Sequence, residues 1–264
     1  MGMELLKEIF EEDAKLKSFA EDETGAKKLD IDKWEQEAYQ SGNFGDRVDI
    51  IEQNAQILAK KLLKKNLKSM FEAWKLLTYL YREAIRNAPE HGKANEVLFE
   101  TAMEEQDGHT YVEFKVSDHG IGIYKSLSMN TTHRSYLEND EEALLWAVKP
   151  GISKAFSPGH NGRENDPNAN SGYGLFMISQ IVKMLGGSMI LASGKSALYL
   201  DQNMQNTRES DFTGTLLSVQ IPVEEVHDYQ QLIDDARRNG EAAAKEIKQA
   251  FKEASLPSKG LLHL

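Results

Sequence analysis

Three short runs in this sequence combine residue types that can act on a phosphorylated ligand. The first is Glu83-Ala-Ile-Arg-Asn87. On a helix, a spacing of four places Glu83 and Asn87 on one face, a single turn apart. A carboxylate and an amide oxygen so placed can approach one hydrated magnesium ion and one water molecule. The second is Asp118-His-Gly120-Ile-Gly122-Ile123, directly after a strand-like alternation. Glycines there let the backbone turn sharply and pass close to a ligand, and an aspartate at the strand's end can accept a hydrogen bond from an exocyclic amine. The third is Ser171-Gly172-Tyr173-Gly174-Leu175, opening an amphipathic stretch. Glycines ahead of a helix leave its first amides and the positive end of its dipole to phosphate oxygens. Each run alone has a plain alternative: two solvated side chains on a helix face, an ordinary turn, a flexible loop.

The elements that must position these runs follow from periodicity. From Asp46, which reads as an N-cap, Ile51, Ala55, Leu58, Leu62 and then Phe71, Trp74, Leu77, Tyr81 and Ile85 recur at helical spacing. The stretch is too long for one globular helix, so two are predicted, breaking near 64–69 and ending at about Asn87 or Ala88, before Pro89 and Gly92. Strands are predicted over Glu96–Glu104 and Thr110–Ser117, joined by a turn at Asp107-Gly108. In the second, Val112, Phe114 and Val116 alternate with Tyr111, Glu113 and Lys115. Residues 124–171 read as a long lid: a helical piece around Glu141–Val148, then a Gly-, Asn- and Pro-rich loop over 157–171. Leu175, Ile178, Ile181, Val182 and Leu185 mark a helix stopped at Gly186-Gly187. Strands follow at Ser188–Ala192, Ala197–Tyr199 and Thr213–Ile221. The tail from Glu224 to Ala254 reads as helical, broken or kinked at Asn239-Gly240.

Taken together and in this order, the three runs resemble the N, G1 and G2 boxes of the GHKL superfamily: DNA gyrase, the ninety-kilodalton heat-shock chaperones, histidine kinases and MutL. Arg82 to Gly92 resembles the N-box helix, Asp118-His-Gly120-Ile-Gly122 the D-x-G-x-G turn, and Gly172-Tyr173-Gly174-Leu175 the glycine box after the lid. Phe212-Thr-Gly214-Thr215 resembles the start of the final strand. The resemblance spans about residues 68–223. It implies an α+β fold, a two-layer α/β sandwich with a mixed, mostly antiparallel sheet and helices on one face. Residues 1–67 are expected as a helical N-terminal extension, 68–223 as the ATP-binding domain and 224–264 as a helical tail.

By the same resemblance, Asp118 would receive the adenine amino group, with Thr215 assisting through a water, while Gly120 and Gly122 let the backbone pass beside the base. Asn87 would ligate Mg2+ on the phosphates of ATP. Ser171, Gly172, Tyr173, Gly174 and Leu175 would line the phosphates with their amides, and Glu83 would orient and deprotonate the attacking water. His119 stands where many relatives carry Asn, and its side chain is expected to point away from the base. No segment after Pro222 resembles the transducer domain whose lysine reaches the γ-phosphate in gyrase and MutL; Lys149 or Arg163 could take that part.

Composition bounds the rest. The 264 residues carry 31 Lys+Arg against 42 Asp+Glu, a net charge of −11, and no cysteine. That excludes disulfides, thiol catalysis and cysteine-ligated metals, and argues against broad affinity for nucleic acid or anionic membrane. The N-terminus lacks the cationic start and apolar core of a signal peptide, and no apolar run approaches the roughly 20 residues that span a bilayer. A cytoplasmic, stand-alone bacterial protein is the expectation. Ser193-Gly194-Lys195-Ser196 ends like a P-loop, but Met189 stands where its first glycine belongs, so a hairpin turn is predicted there. Residues 1–90 contain no histidine, so the sensor-kinase reaction on a preceding helix pair has no acceptor in this stretch. The expectation is a Mg-ATP hydrolase that switches a protein partner through its lid or helical extensions, with homodimer formation left open. The alternatives are a Ser/Thr protein kinase of the anti-sigma-factor type and a non-catalytic ATP-gated module.

Overall fold

The computed structural model describes residues 27–40, 46–155, 171–255 and 257–260. Helix α1 (Ile31–Gln40) follows a short strand, β1 (Lys27–Asp30). Helix α2 (Arg47–Leu63) opens on a capping box. Asp46 Oδ1 accepts the Asp49 amide at 3.0 Å, and Asp49 Oδ2 accepts the Asp46 amide at 3.3 Å. It stops where predicted, at Lys64 with φ 40°, and a 3-10 turn over Lys64–Asn66 leads to helix α3 (Phe71–Asn87).

Helix α3 is buried on almost every side from Leu76 to Arg86. One face meets a five-stranded sheet in the order β1-β2-β3-β5-β4, with β2 Glu96–Gln106, β3 His109–Asp118, β4 Ser188–Asp201 and β5 Gln205–Pro222. Every pairing is antiparallel. Tyr81 anchors α3 to it: its ring stands edge-on to Phe99 and Phe114, both at 5.0 Å, and its hydroxyl pairs with Thr101 at 2.7 Å. Edge-to-face pairs add about 0.5–1.5 kcal/mol each beyond their buried area. Helices α7 (Gly174–Met184) and α8 (Tyr229–Ala244) pack on α3 as well, completing one helical layer over one sheet face. Between β3 and α7 lie α4 (Ile123–Ser128), α5 (Thr131–Arg134) and α6 (Asp140–Ala147). The α+β sandwich is therefore as expected.

Three local expectations are corrected. Ser193–Ser196 is not a hairpin turn: β4 runs unbroken through it, and the chain reverses instead between Asp201 and Gln205. The register shifts on both sides of Gly194, a bulge at φ +63° packed against the Asp140 carboxylate, whose Oδ2 accepts the Lys195 amide at 2.9 Å. The two short strands predicted there are therefore one. Asn239-Gly240 does not break α8, because a side chain at Gly240 would strike the Phe176 ring and its absence lets α7 and α8 approach. The tail is helical only to Ala244, and residues 245–255 continue in turns. Helix α3, by contrast, ends at Asn87 as expected, and a π turn over Ala88–Gly92 follows it to Lys93 at φ 56°. The polar loop predicted over 157–171 lies outside the described residues except for Ser171, as does Arg163.

Candidate functional site

A cavity of about 740 Å³, counting the part open to solvent, lies between α3, the sheet, α4 and the start of α7. Its apolar wall includes Val116, Ile123, Leu127, Leu191 and Leu217. Asp118 closes one end. It is the last residue of β3, and pairing with β5 sets Thr215 directly opposite it. Its Oδ1 accepts the Gly120 amide at 2.7 Å, and the Thr215 side chain hydrogen-bonds it too. Gly92 presses on it from the π turn, and the Gly92 carbonyl accepts the Ile121 amide at 2.8 Å. A β-carbon on Gly120 would stand 2.1 Å from that carbonyl, so only glycine permits this closure. Burial pushes the Asp118 carboxyl up to about 6, against the opposing pull of the Gly120 amide, His119 and Thr215.

Behind this loop, Ser193 ties three segments together. Its hydroxyl accepts the Ile123 amide at 3.0 Å and donates to the Gly214 carbonyl at 2.7 Å. His119 points outward as expected, its ring stacked on Phe212 at 6.4 Å.

The other end is built by α3 and α7. Asn87 lines the cavity, and Gly174 lies against both Glu83 and Asn87: a β-carbon there would be 2.9 Å from Glu83 Oε2 and 3.9 Å from Asn87 Oδ1. Tyr173, the N-cap residue of α7, makes no side-chain cap to the first amides of the helix, the end of a helix at which anions are favoured. Glu83 is buried, and its Oε1 is held by Arg82, with Nη2 at 3.2 Å and Nε at 3.3 Å, and by Arg86 Nη1 at 3.6 Å. Arg82 also pairs with the buried Glu52 of α2, and Arg86 with Glu90 of the π turn at 2.7 Å. Charges therefore alternate along one row, buried from Glu52 through Arg82, Glu83 and Arg86 and ending at the half-buried Glu90. Oε2 of Glu83 is the oxygen left facing Gly174.

The comparison with known families agrees with this geometry. Residues 73–225, more than half of the chain, match the family described as histidine kinase-, DNA gyrase B- and HSP90-like ATPase. The chain belongs to that family. Domains of this GHKL family bind ATP, and many are ATPases or kinases. No curated protein matches the chain.

Of the GHKL positions read from sequence, Asn87, Asp118, Gly122, Gly172, Gly174, Leu175 and Thr215 line the cavity. Glu83, Gly120, Ser171 and Tyr173 are not among the residues that line it. Ser171 turns its hydroxyl to Ser255, and Tyr173, fully buried, donates its own to the Phe251 carbonyl at 3.2 Å. Lys149 sits over the Trp146 ring at 4.5 Å and does not line the cavity. Sequence reasoning placed His91 and Gly92 at the end of the N-box stretch without a site role of their own, and missed Ser126, Ala147 and Ile152 from the lid segment. For His91-Gly92 the signal was their place at the end of the N-box stretch, which a π turn folds back onto the G1 loop. Lys154, two residues beyond the cavity-lining Ile152, has its pKa lowered by burial and by the charge of Lys93.

Proposed function

We propose that the chain binds Mg-ATP across this cavity, with the adenine amine on Asp118 and the phosphates on the first amides of α7, and hydrolyses it slowly with Glu83 as general base. The observation that carries this reading is the placement of two unlike carboxylates. Asp118 is a buried acceptor bonded by the Gly120 amide and the Thr215 side chain, suited to a neutral amine. Glu83 sits one turn from Asn87 beside the glycine box, with Oε2 towards Gly174, suited to the reacting end. Magnesium would come with the phosphates and take the Asn87 amide oxygen as its protein ligand, neutralising charge that the amides alone do not. Glu83 Oε2 would then accept a proton from a water lying between it and the terminal phosphate.

The nucleotide state would reach a partner protein through the segment 124–171, which supplies Ser126, Leu127, Ala147 and Ile152 to the cavity wall. In this reading residues 68–223 form the ATP-binding unit, with 1–67 and 224–264 as extensions that dock other proteins or a second copy. Among the described residues no helix is long and apolar enough to cross a membrane, in keeping with a cytoplasmic setting.

Glu83→Gln keeps size and hydrogen bonding but removes the base. We expect Mg-ATP affinity within a few-fold of wild type and turnover down about 10²–10⁴-fold. Unchanged turnover would take Glu83 out of this role, and transfer of labelled γ-phosphate to a protein hydroxyl would replace hydrolysis with kinase chemistry.

A further inference from the structure

Beyond α8 the chain folds back over the outer side of the glycine box. The Phe251 amide donates to the Gly151 carbonyl at 2.9 Å, and the Phe251 carbonyl accepts the Tyr173 hydroxyl. Four residues on, the Ser255 amide donates to Ser171 Oγ at 2.9 Å, and that hydroxyl donates to Ser255 Oγ at 3.1 Å. Ser255 Oγ donates in turn to Ser258 Oγ at 3.3 Å, and the Ser258 carbonyl accepts the Tyr79 hydroxyl of α3, also at 3.3 Å. Ser171, Ser255 and Ser258 are all buried. The Gly151 amide closes the set by donating to the Gly172 carbonyl at 3.1 Å. Contact at Gly151 is backbone on backbone, since a β-carbon there would stand 2.2 Å from the Phe251 carbonyl oxygen. One strap therefore joins Gly151–Ile152, the glycine box and α3.

Phe251 and Ser255 lie outside the stretch that matches the family, 73–225. We infer that they are positioning residues for the glycine box: they fix where the first amides of α7 stand, and so how tightly phosphates, but not adenine, are held. The inference rests on the ATP reading above and adds the tail to its machinery. The direction of the effect follows from connectivity. Ser171, Gly172 and Tyr173 are the residues that enter α7, so loosening their hydrogen bonds displaces the amides aimed at an anion. Asp118 is held by Gly92, Gly120 and Thr215, none of which touches the strap. A tail that only added global stability would weaken both ends of the ligand alike.

The test uses the full-length chain. Ser255→Ala removes two hydroxyl contacts, and Gly151→Ala drives the Phe251 carbonyl away. Calorimetry with Mg-ATP and with adenosine is paired with hydrogen exchange at the amides of 172–175. Loss of one or two hydrogen bonds should weaken Mg-ATP about 3- to 10-fold, leave adenosine within twofold, and speed exchange at those amides. Equal weakening of both ligands, or unchanged affinity with unchanged exchange in Ser255→Ala, would overturn the inference. A wild-type chain that binds neither ligand would instead overturn the ATP reading, and exchange in Ser255→Ala alone would then decide the role of the strap.

Discussion

Asp118 and Glu83 are both buried carboxylates at one cavity, but they are stabilised in opposite ways. Asp118 ends a strand and has a backbone amide and a hydroxyl for company; burial dominates, and its carboxyl is raised to about 6. Glu83 sits in a helix between two guanidiniums, which are themselves tied to Glu52 and Glu90. A carboxylate left short of cations costs stability until a ligand donates to it, which is the state expected of a recognition group. A carboxylate locked into a row of alternating charges is fixed in place, which is what positioning one oxygen beside Gly174 requires. In the proposed reading, the adenine end is poised by deficit and the phosphate end by over-determination.

The sharpest way to break this contrast is to remove Arg82. Arg82→Met leaves Glu52 and Glu83 buried without their shared partner and should cost about 3–5 kcal/mol in urea unfolding. A loss under 1 kcal/mol would mean that the row of charges holds little. Asp118→Asn should act in the opposite direction. The uncharged amide still accepts from Gly120 while the burial penalty disappears, so the unliganded protein gains up to about 3 kcal/mol at pH 7. Affinity for adenine nucleotides should fall at least tenfold. Rising stability with falling affinity, read by thermal unfolding and calorimetry, is the signature; lower stability would refute the deficit.

The same carboxyl sets a pH dependence. Its folded value, about 6, lies above the ordinary 3.8, so the folded state binds this proton more tightly than the unfolded state. The contribution of Asp118 is therefore unfavourable above pH 6 and is relieved as pH falls from 6 towards 4. Nucleotide affinity should run the other way, declining below pH 6 as the acceptor is protonated. Titrations of Mg-ATP binding between pH 8 and 5 check this, and the decline should vanish in Asp118→Asn. The smallest effect is expected at Ser193→Ala. It removes one acceptor and one donor linking β4, the G1 loop and β5, at roughly 1–2 kcal/mol of stability and a few-fold in affinity.

Much of this arrangement is legible in the sequence where a local rule acts alone. The Asp46 cap, the break at Lys64, the Asp107-Gly108 turn with both residues at positive φ, and the stop at Gly186 all obey short-range chemistry. The family's boxes, which gather at the cavity, were legible because their residue types and order are restrictive. What escaped depends on tertiary packing. Ser193–Ser196 has the composition of a turn, yet pairing with β5 and the Asp140 carboxylate hold it as a bulge. Asn239-Gly240 has the composition of a helix stop, yet Phe176 fills the space that the missing side chain leaves. Arg82 beside Glu83 reads as an ordinary surface pair on a helix, and only the distant Glu52 makes it a buried one. Lys27–Asp30 is too short and too charged to announce a strand, and it exists because β2 offers an open edge.

The π turn after α3 has one more consequence. Asn87 and Gly92 are five positions apart on one continuous piece of helical backbone, and Gly92 is bonded to the loop that carries Gly120. That piece of chain is a calliper whose jaws are the amide of Asn87 and the seat of Asp118. Its opening is set by the wide turn, because a regular α-helical turn would end one residue earlier and carry the Gly92 carbonyl off the loop. The span between Asp118 and Asn87, which in the proposed reading separates base from phosphates, is thus gauged by a single rigid segment, and Pro89, held at a fixed φ inside it, resists any change of length.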